Sequence, residues 1–277
     1  MVGRITDLEI NKMFTKRKFT QRHQQVMNKV ISIAMAFELL GLATACQLAS
    51  RTKPGEATET IMEIRNMASV TPSDQAILLP TPVLVGKLTL EEAIQKRRSV
   101  REFTADPLTQ SEIGQLLWAA QGITHPSGLR TAPSAGALYP LEIFLATGEG
   151  FFHYEPQGHQ LSFVLQGDLR TGLYTAALSQ DAVLEAPAIF VIAADYSRTS
   201  KKYGENRTPR YVHLEAGHAA QNLLLEAVAL ELGAVPIGAF YDNDVKEILA
   251  LPASLQPLYL IPVGHPKDRI NTPGLPA

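Results

Sequence analysis

Three observations in the sequence predict a layered α+β domain. Strand-like and helix-like segments are mixed without the regular alternation of a doubly wound parallel sheet. Ala188 to Ala194, with IFVIA at its centre, is a continuous apolar run that reads as a strand buried on both faces. Tyr211 to Leu232 is a long segment that is apolar or small on nearly all sides, which places it at the centre of the domain or in a subunit interface. The chain of 277 residues, 45% hydrophobic and 19% charged, is long enough to bury a sizeable core. Its formal charge of -2 gives no global electrostatic reason to expect nucleic acid. Its single cysteine excludes an intramolecular disulfide and metal sites built from several thiolates. Redox chemistry in such a chain needs a borrowed cofactor.

The first 46 residues read as an export signal or an extension. A basic stretch from Lys16 to Lys29 precedes an apolar run, Val30 to Ala45, broken only by Glu38. The run falls short of the roughly 20 apolar residues of a membrane span but has the dimensions of a signal peptide. Ala43-Thr44-Ala45-Cys46 loosely resembles a lipoprotein cleavage site, so a lipidated Cys46 is the one membrane anchor the sequence suggests. Thr15-Lys16-Arg17-Lys18-Phe19 resembles a twin-arginine signal with lysine in the first place. An exported location is favoured over a cytoplasmic one. Residues 47–83 are polar and punctuated by proline, as a linker is, and the folded domain is expected to begin near Leu84 and run to the end of the chain.

Within that domain, Thr89-x-x-Glu92 and Thr109-x-x-Glu112 are capping boxes that open helices through about Arg97 and to Gln121, the second stopped by Gly122. Leu141 to Thr147, Phe151 to Tyr154 and Leu161 to Leu165 read as strands, the last two joined across Glu155-Pro156-Gln157-Gly158. Asp168 to Ser179 reads as a helix, and Asp242 to Leu251 as a short one. Ala234 to Phe240 and Leu258 to Val263 complete the domain.

Four segments carry donors or close backbone. Arg97-Arg98-Ser99-Val100-Arg101 gathers guanidiniums and a hydroxyl at a helix C-terminal end; these suit either helix capping or a phosphate. Arg130 to Pro140, RTAPSAGALYP, is a small-residue loop running into a strand, where backbone can approach a flat ligand. Gly233 to Gly238 offers the same after the long helix. Gly264 to Arg269 adds Lys267 and Arg269 after an apolar strand.

Together and in this order, RRSVREF, TAPSAGALYPLEIF, YVHLEAGHAAQNLLLEA and PIGAF resemble the nitroreductase family, and within it the SagB-type branch related to azoline-oxidising dehydrogenases, over about Leu88 to Arg269. The resemblance implies a central, mostly antiparallel sheet flanked by helices, in a homodimer with FMN at the interface. It implies that Arg97, Arg98 and Ser99 bind the FMN phosphate and ribityl chain, with Lys267 and Arg269 as further phosphate partners. Pro133, Ser134, Ala135 and Gly136 would lie against the flavin from the opposite subunit, and Ile237, Gly238 and Ala239 would present main chain to the ring. The branch's Lys-Tyr pair is matched by Lys202-Tyr203, ahead of Arg207 and Arg210-Tyr211. Dehydrogenation removes a proton as well as a hydride, so lysine or tyrosine could act as base.

Other chemistries are absent or weaker. His213 and His218 are five apart and do not share the helix face that zinc ligands at i and i+4 share. There is no G-x-S-x-G nucleophile elbow, no Walker loop and no dinucleotide fingerprint. The expected function is therefore FMN-dependent two-electron dehydrogenation or reduction of a small-molecule or peptide substrate. The alternatives are an NAD(P)H-dependent nitro or quinone reductase and a non-catalytic flavin-binding accessory protein.

Overall fold

The computed structural model describes residues 76–267. The export signal, Cys46, most of the linker and Arg269 lie outside the described residues. The element order is β1 (Ile77–Leu78), α1 (Leu90–Lys96), α2 (Gln110–Gln121), β2 (Leu141–Thr147), β3 (Gly150–Glu155), β4 (Gln160–Gln166), α3 (Arg170–Ala176), α4 (Asp181–Glu185), β5 (Ala188–Asp195), α5 (Tyr196–Tyr203), α6 (Thr208–Ala229), β6 (Gly233–Ala234), α7 (Asp242–Ile248) and β7 (Leu255–Gly264).

Among the described residues these strands form one sheet in the order β1-β4-β3-β2-β5-β7-β6, and every adjacent pair is antiparallel. The expected α+β fold with an antiparallel sheet is thus the observed one. β5 lies between β2 and β7, with Phe144 opposite Val191 and Phe190 opposite Ile261. Successive side chains of a strand point to opposite faces. Accordingly Phe190, Ile192 and Ala194 pack in one core with Leu116, Leu117, Val212, Ala216 and Leu223 of α2 and α6. Ile189, Val191 and Ala193 pack in the other with Leu173, Val183 and Val245 of α3, α4 and α7. The result is three layers with β5 at the centre.

Both capping boxes are formed: the Thr89 and Thr109 hydroxyls accept from the amides of Glu92 and Glu112, and each glutamate side chain returns to its threonine N–H. Boundaries differ where backbone chemistry was misread. α6 starts at Thr208, ahead of Tyr211, because Pro209 falls in its first turn, where the missing N–H costs nothing. α3 is shorter than Asp168 to Ser179 because Leu178 and Ser179 turn to φ 59 and 57. The long helix is also not covered all round. Arg210, His213, Leu214, His218 and Gln221 form an exposed stripe at helical spacing.

Among the described residues, packing against the domain extends ahead of the expected boundary at Leu84. Ile77 and Leu78 pair with Leu161 and Gln160, Leu79 donates to His159 O at 3.0 Å, and His159 Nε2 meets Pro80 O at 3.0 Å. The Gln115 amide then clasps Val83, accepting from its N–H at 2.8 Å and donating to its carbonyl at 3.0 Å. A proline-rich segment can take this place because an edge strand needs only one set of ladder bonds.

Leu223 is fully buried between α6 and the sheet. Leu223→Ala is expected to lower the unfolding free energy by about 2–5 kcal/mol, read from urea denaturation.

Candidate functional site

The first surface grows from the end of α1. Arg97 closes the helix, donating its N–H to Ala93 O at 2.9 Å, and the chain leaves in an extended course. Ser99 forms a parallel bridge with Ala234, and Val100 N–H donates to Ala234 O at 3.0 Å. This approach requires Gly233, since a Cβ there would sit 2.8 Å from Val100 Cβ. Farther on, Phe103 bridges Pro266 and Lys267 N–H donates to Glu102 O at 3.1 Å. The stretch from 97 to 104 therefore joins three sequence-distant segments, those at 97–99, 233–239 and 264–267, into one strip. Ile237 is buried and paired both ways with Leu260 at 2.8 and 3.0 Å, after which Gly238 and Ala239 emerge exposed.

The cations of this strip are not equivalent. Arg98 folds its guanidinium back to Gln95 O and Arg97 O, each at 2.8 Å, and so caps its own helix. Lys267 Nζ pairs with Glu185 at 2.7 Å. Arg97 is half-buried and Ser99 exposed. Arg97 and Ser99, with the Gly238 and Ala239 amides, form the donor set that suits an anion next to an electron-rich ring.

The second surface is the turn from Pro133 to Tyr139. Gly136, Ala137 and Tyr139 have φ of 66, 54 and 45, a left-handed course that costs alanine and tyrosine energy unless the surroundings enforce it. They do so at several points. Tyr139 N–H donates to Ser134 Oγ at 2.9 Å, and Arg130 N–H donates to the Tyr139 hydroxyl at 3.3 Å. The Arg130 guanidinium lies 4.6 Å from the centre of the Tyr139 ring, a cation–π contact. From α5, Arg198 Nη1 donates to Tyr139 O at 2.9 Å. Arg198 is itself fixed by an ion pair with Glu142 of β2 and by Asp195 at 3.7 Å, and Glu142 also meets His153 Nε2 at 2.6 Å.

The turn and α5 are thereby locked together, and α5 carries Lys202 and Tyr203 at its C-terminal end. A Cβ on Gly136 would stand 2.7 Å from Lys202 Nζ and 3.0 Å from the Tyr203 hydroxyl. The Tyr203 ring lies 5.6 Å from that ammonium and 4.6 Å from the Tyr211 ring. Gly136, Lys202 and Tyr203, picked out from separate motifs, are therefore neighbours. Pro133 is exposed, Ser134 and Ala135 half-buried.

Sequence reasoning missed Glu142, Arg198 and Glu215 and treated Arg130 only as part of a loop. Glu215, the one buried charged residue among those described, points from α6 toward the underside of the turn. No local pattern reveals these residues, because their partners lie far away in sequence: Glu142 and Arg198 are 56 residues apart. His213 hydrogen-bonds the Tyr196 hydroxyl at 2.7 Å, a packing role within the helix pair.

Burial raises the Glu142 carboxyl, but the hydrogen bond from His153 and the charge and hydrogen bond of Arg198 outweigh it and hold the pKa below the usual carboxylate value. A depressed carboxylate contributes stability that is full above its unfolded pKa and is lost as pH falls through the folded one.

Two predictions follow from this geometry. Glu142→Gln is expected to cost about 1–3 kcal/mol at pH 7, with the difference from wild type shrinking below the ordinary carboxylate pKa of about 4.5 in thermal melts run across pH. Gly136→Ala should cost about 1 kcal/mol from its left-handed backbone and displace Lys202 and Tyr203, visible in a crystal structure of the variant.

Comparison with known proteins supplies the wider setting. A family model described as "Nitroreductase family" matches residues 94–265. A candidate nitroreductase of Methanocaldococcus jannaschii is 45% identical over 187 residues, covering 65% of this chain and 93% of that protein. An FMN reductase [NAD(P)H] of Bacillus subtilis is 25% identical over 201 residues, covering 67% of this chain and 69% of that protein. Among solved structures, a candidate nitroreductase of Ralstonia eutropha superposes with a TM-score of 0.65 at 29% identity, over 72% of this chain and 93% of that one.

Proposed function

The chain belongs to the nitroreductase family and is an oxidoreductase, and from that premise we propose that it works through FMN bound between two copies of itself. One observation carries the reading: Arg97 and Ser99 share a continuous strip with the exposed amides of Gly238 and Ala239 because Ser99 bridges to Ala234. That donor set fits a flavin mononucleotide, with Arg97 and Ser99 on the phosphate and ribityl chain and the two amides at the ring edge. Arg98 and Lys267 would join the phosphate only by leaving the helix carbonyls and Glu185. FMN supplies two-electron transfer; the protein supplies binding, orientation and local charge.

The Pro133 to Gly136 turn would reach the flavin from the second copy. The exposed stripe of α6 supports such pairing, since Leu214 is 55% exposed and a Cβ on Gly217 would meet nothing within 4 Å. Lys202, exposed, and Tyr203, half-buried at the turn, are the groups that would take a proton from a substrate losing a hydride. The motifs around them support assignment to the SagB-type branch and a small-molecule or peptide substrate. If residues 1–46 are an export signal, dehydrogenation is the favoured direction, as nicotinamide reductants are scarce outside the cytoplasm. The likeness to an NAD(P)H-dependent FMN reductase favours a second reading, reduction of nitro compounds or quinones.

The purified protein is expected to carry about one FMN per subunit and to be dimeric. Lys202→Ala with Tyr203→Phe should retain the flavin and lose about 10²–10⁴-fold in turnover, the usual worth of a general base. A colourless protein that takes up no added FMN would refute the proposal.

A further inference from the structure

Beneath the 133–139 turn lies a polar group that the proposed chemistry does not use. Glu215 of α6 is 3% exposed, and Gln121 at the end of α2 is fully buried. Neither Glu215 Oε1 nor Gln121 Nε2 makes a hydrogen bond of good geometry, although the Gln121 amide lies close enough to the Glu215 carboxyl to act on it. Buried polar atoms without partners are costly enough to be rare and to call for a reason. The surroundings supply one. The Ser134 hydroxyl faces the Glu215 carboxyl, and Arg130, bonded to Gln121 Oε1 at 3.1 Å, is the charged group that faces it. Behind Arg130 stand Glu142, Tyr139, Tyr154 and Arg198.

Ser134 and Arg130 are also the two residues that hold Tyr139 in its left-handed conformation. Ser134 Oγ accepts from the Tyr139 amide, so its own O–H is left to donate inward. We propose that Glu215 is a positioning residue for the turn: from inside the domain it receives the Ser134 hydroxyl and, with Arg130 and Gln121, holds the turn where Gly136 meets Lys202 and Tyr203. The claim rests on the reading of that junction as the functional site, and it adds control of its geometry by a group that does not itself touch it.

A buried carboxyl in this place should make the turn respond to pH. Burial pushes Glu215 up to about 7, against the opposing pull of Ser134, Arg130 and Gln121. The sign follows from that shift. The neutral form is the one the fold accommodates, so support for the turn is full at acid pH and weakens as pH rises through about 7 and the buried group gains charge.

The test is hydrogen exchange of the Ser134 to Tyr139 amides in the full-length protein between pH 6 and 8.5, corrected for intrinsic exchange, alongside FMN binding measured by flavin fluorescence. In wild type, protection should fall about tenfold across that range. Glu215→Gln, which keeps shape but cannot titrate, should hold its protection flat. Ser134→Ala should lose protection at Tyr139 at every pH. A pH step that survives unchanged in Glu215→Gln, or Tyr139 protection unaltered in Ser134→Ala, would overturn the proposal. A wild-type protein that binds no FMN would sink the functional reading alone, because the exchange results decide the positioning claim without flavin.

Discussion

The rest of the structure depends on β5 being buried on both faces and paired along both edges. A strand in that position can hold only apolar side chains, and its seven residues from Ala188 to Ala194 comply. They separate two cores and fix the spacing of the helical layers. The chemistry begins where the burial stops. Asp195 ends the strand and caps α5 by accepting from Ser197 N–H at 2.9 Å, so the helix bearing Arg198, Lys202 and Tyr203 is aimed by the deeply buried central strand of the sheet. Sites mounted on rigid elements hold geometry better than sites on free loops.

A second dependence is electrostatic. Arg198 and Arg130 grip Tyr139 from two sides, one at its carbonyl and one at its ring and hydroxyl. The carboxylates that balance them differ in setting. Glu142 has two cationic or hydrogen-bonding partners and stays readily ionised, whereas Glu215 lies deeper with less compensation and resists ionisation. Groups of one chemical type placed at opposite ends of a strained turn thus respond to opposite limits of pH, which is what differential burial produces.

Much of the fold was legible because its signals are local. A capping box needs only four residues, and a strand-like apolar run only about five to seven, so α1, α2, β2, β3, β4 and β5 could be read directly. The places where reading failed involve tertiary context. α6 was expected to start at Tyr211 but already has Pro209 in its first turn, and Pro80 and Pro82 read as part of a linker but lie along a docked edge. For the site, glycines and small residues marked where backbone comes close, as at Gly136 and Gly233. What no window of sequence could show was which charges are already engaged. Arg98 could be read as a helix cap or a phosphate ligand and proves to cap its own helix, and Lys267, read as a phosphate partner, proves to be paired with Glu185. Glu215 read as one helix residue among many and proves to be buried.

The docked segment from Ile77 to Val83 has a bearing on how the molecule behaves among its own copies. It pairs with the start of β4, at Gln160 and Leu161, where bare peptide groups would otherwise face out. An uncovered strand margin is a template on which another chain can add. Prolines at 80 and 82 follow the two paired residues, and a proline offers no N–H to extend the ladder. Clipping the chain between Val83 and α1 would free this cover, and the damage would show less in the core than in solution lifetime, with intact subunits slowly joining through the exposed margin of β4.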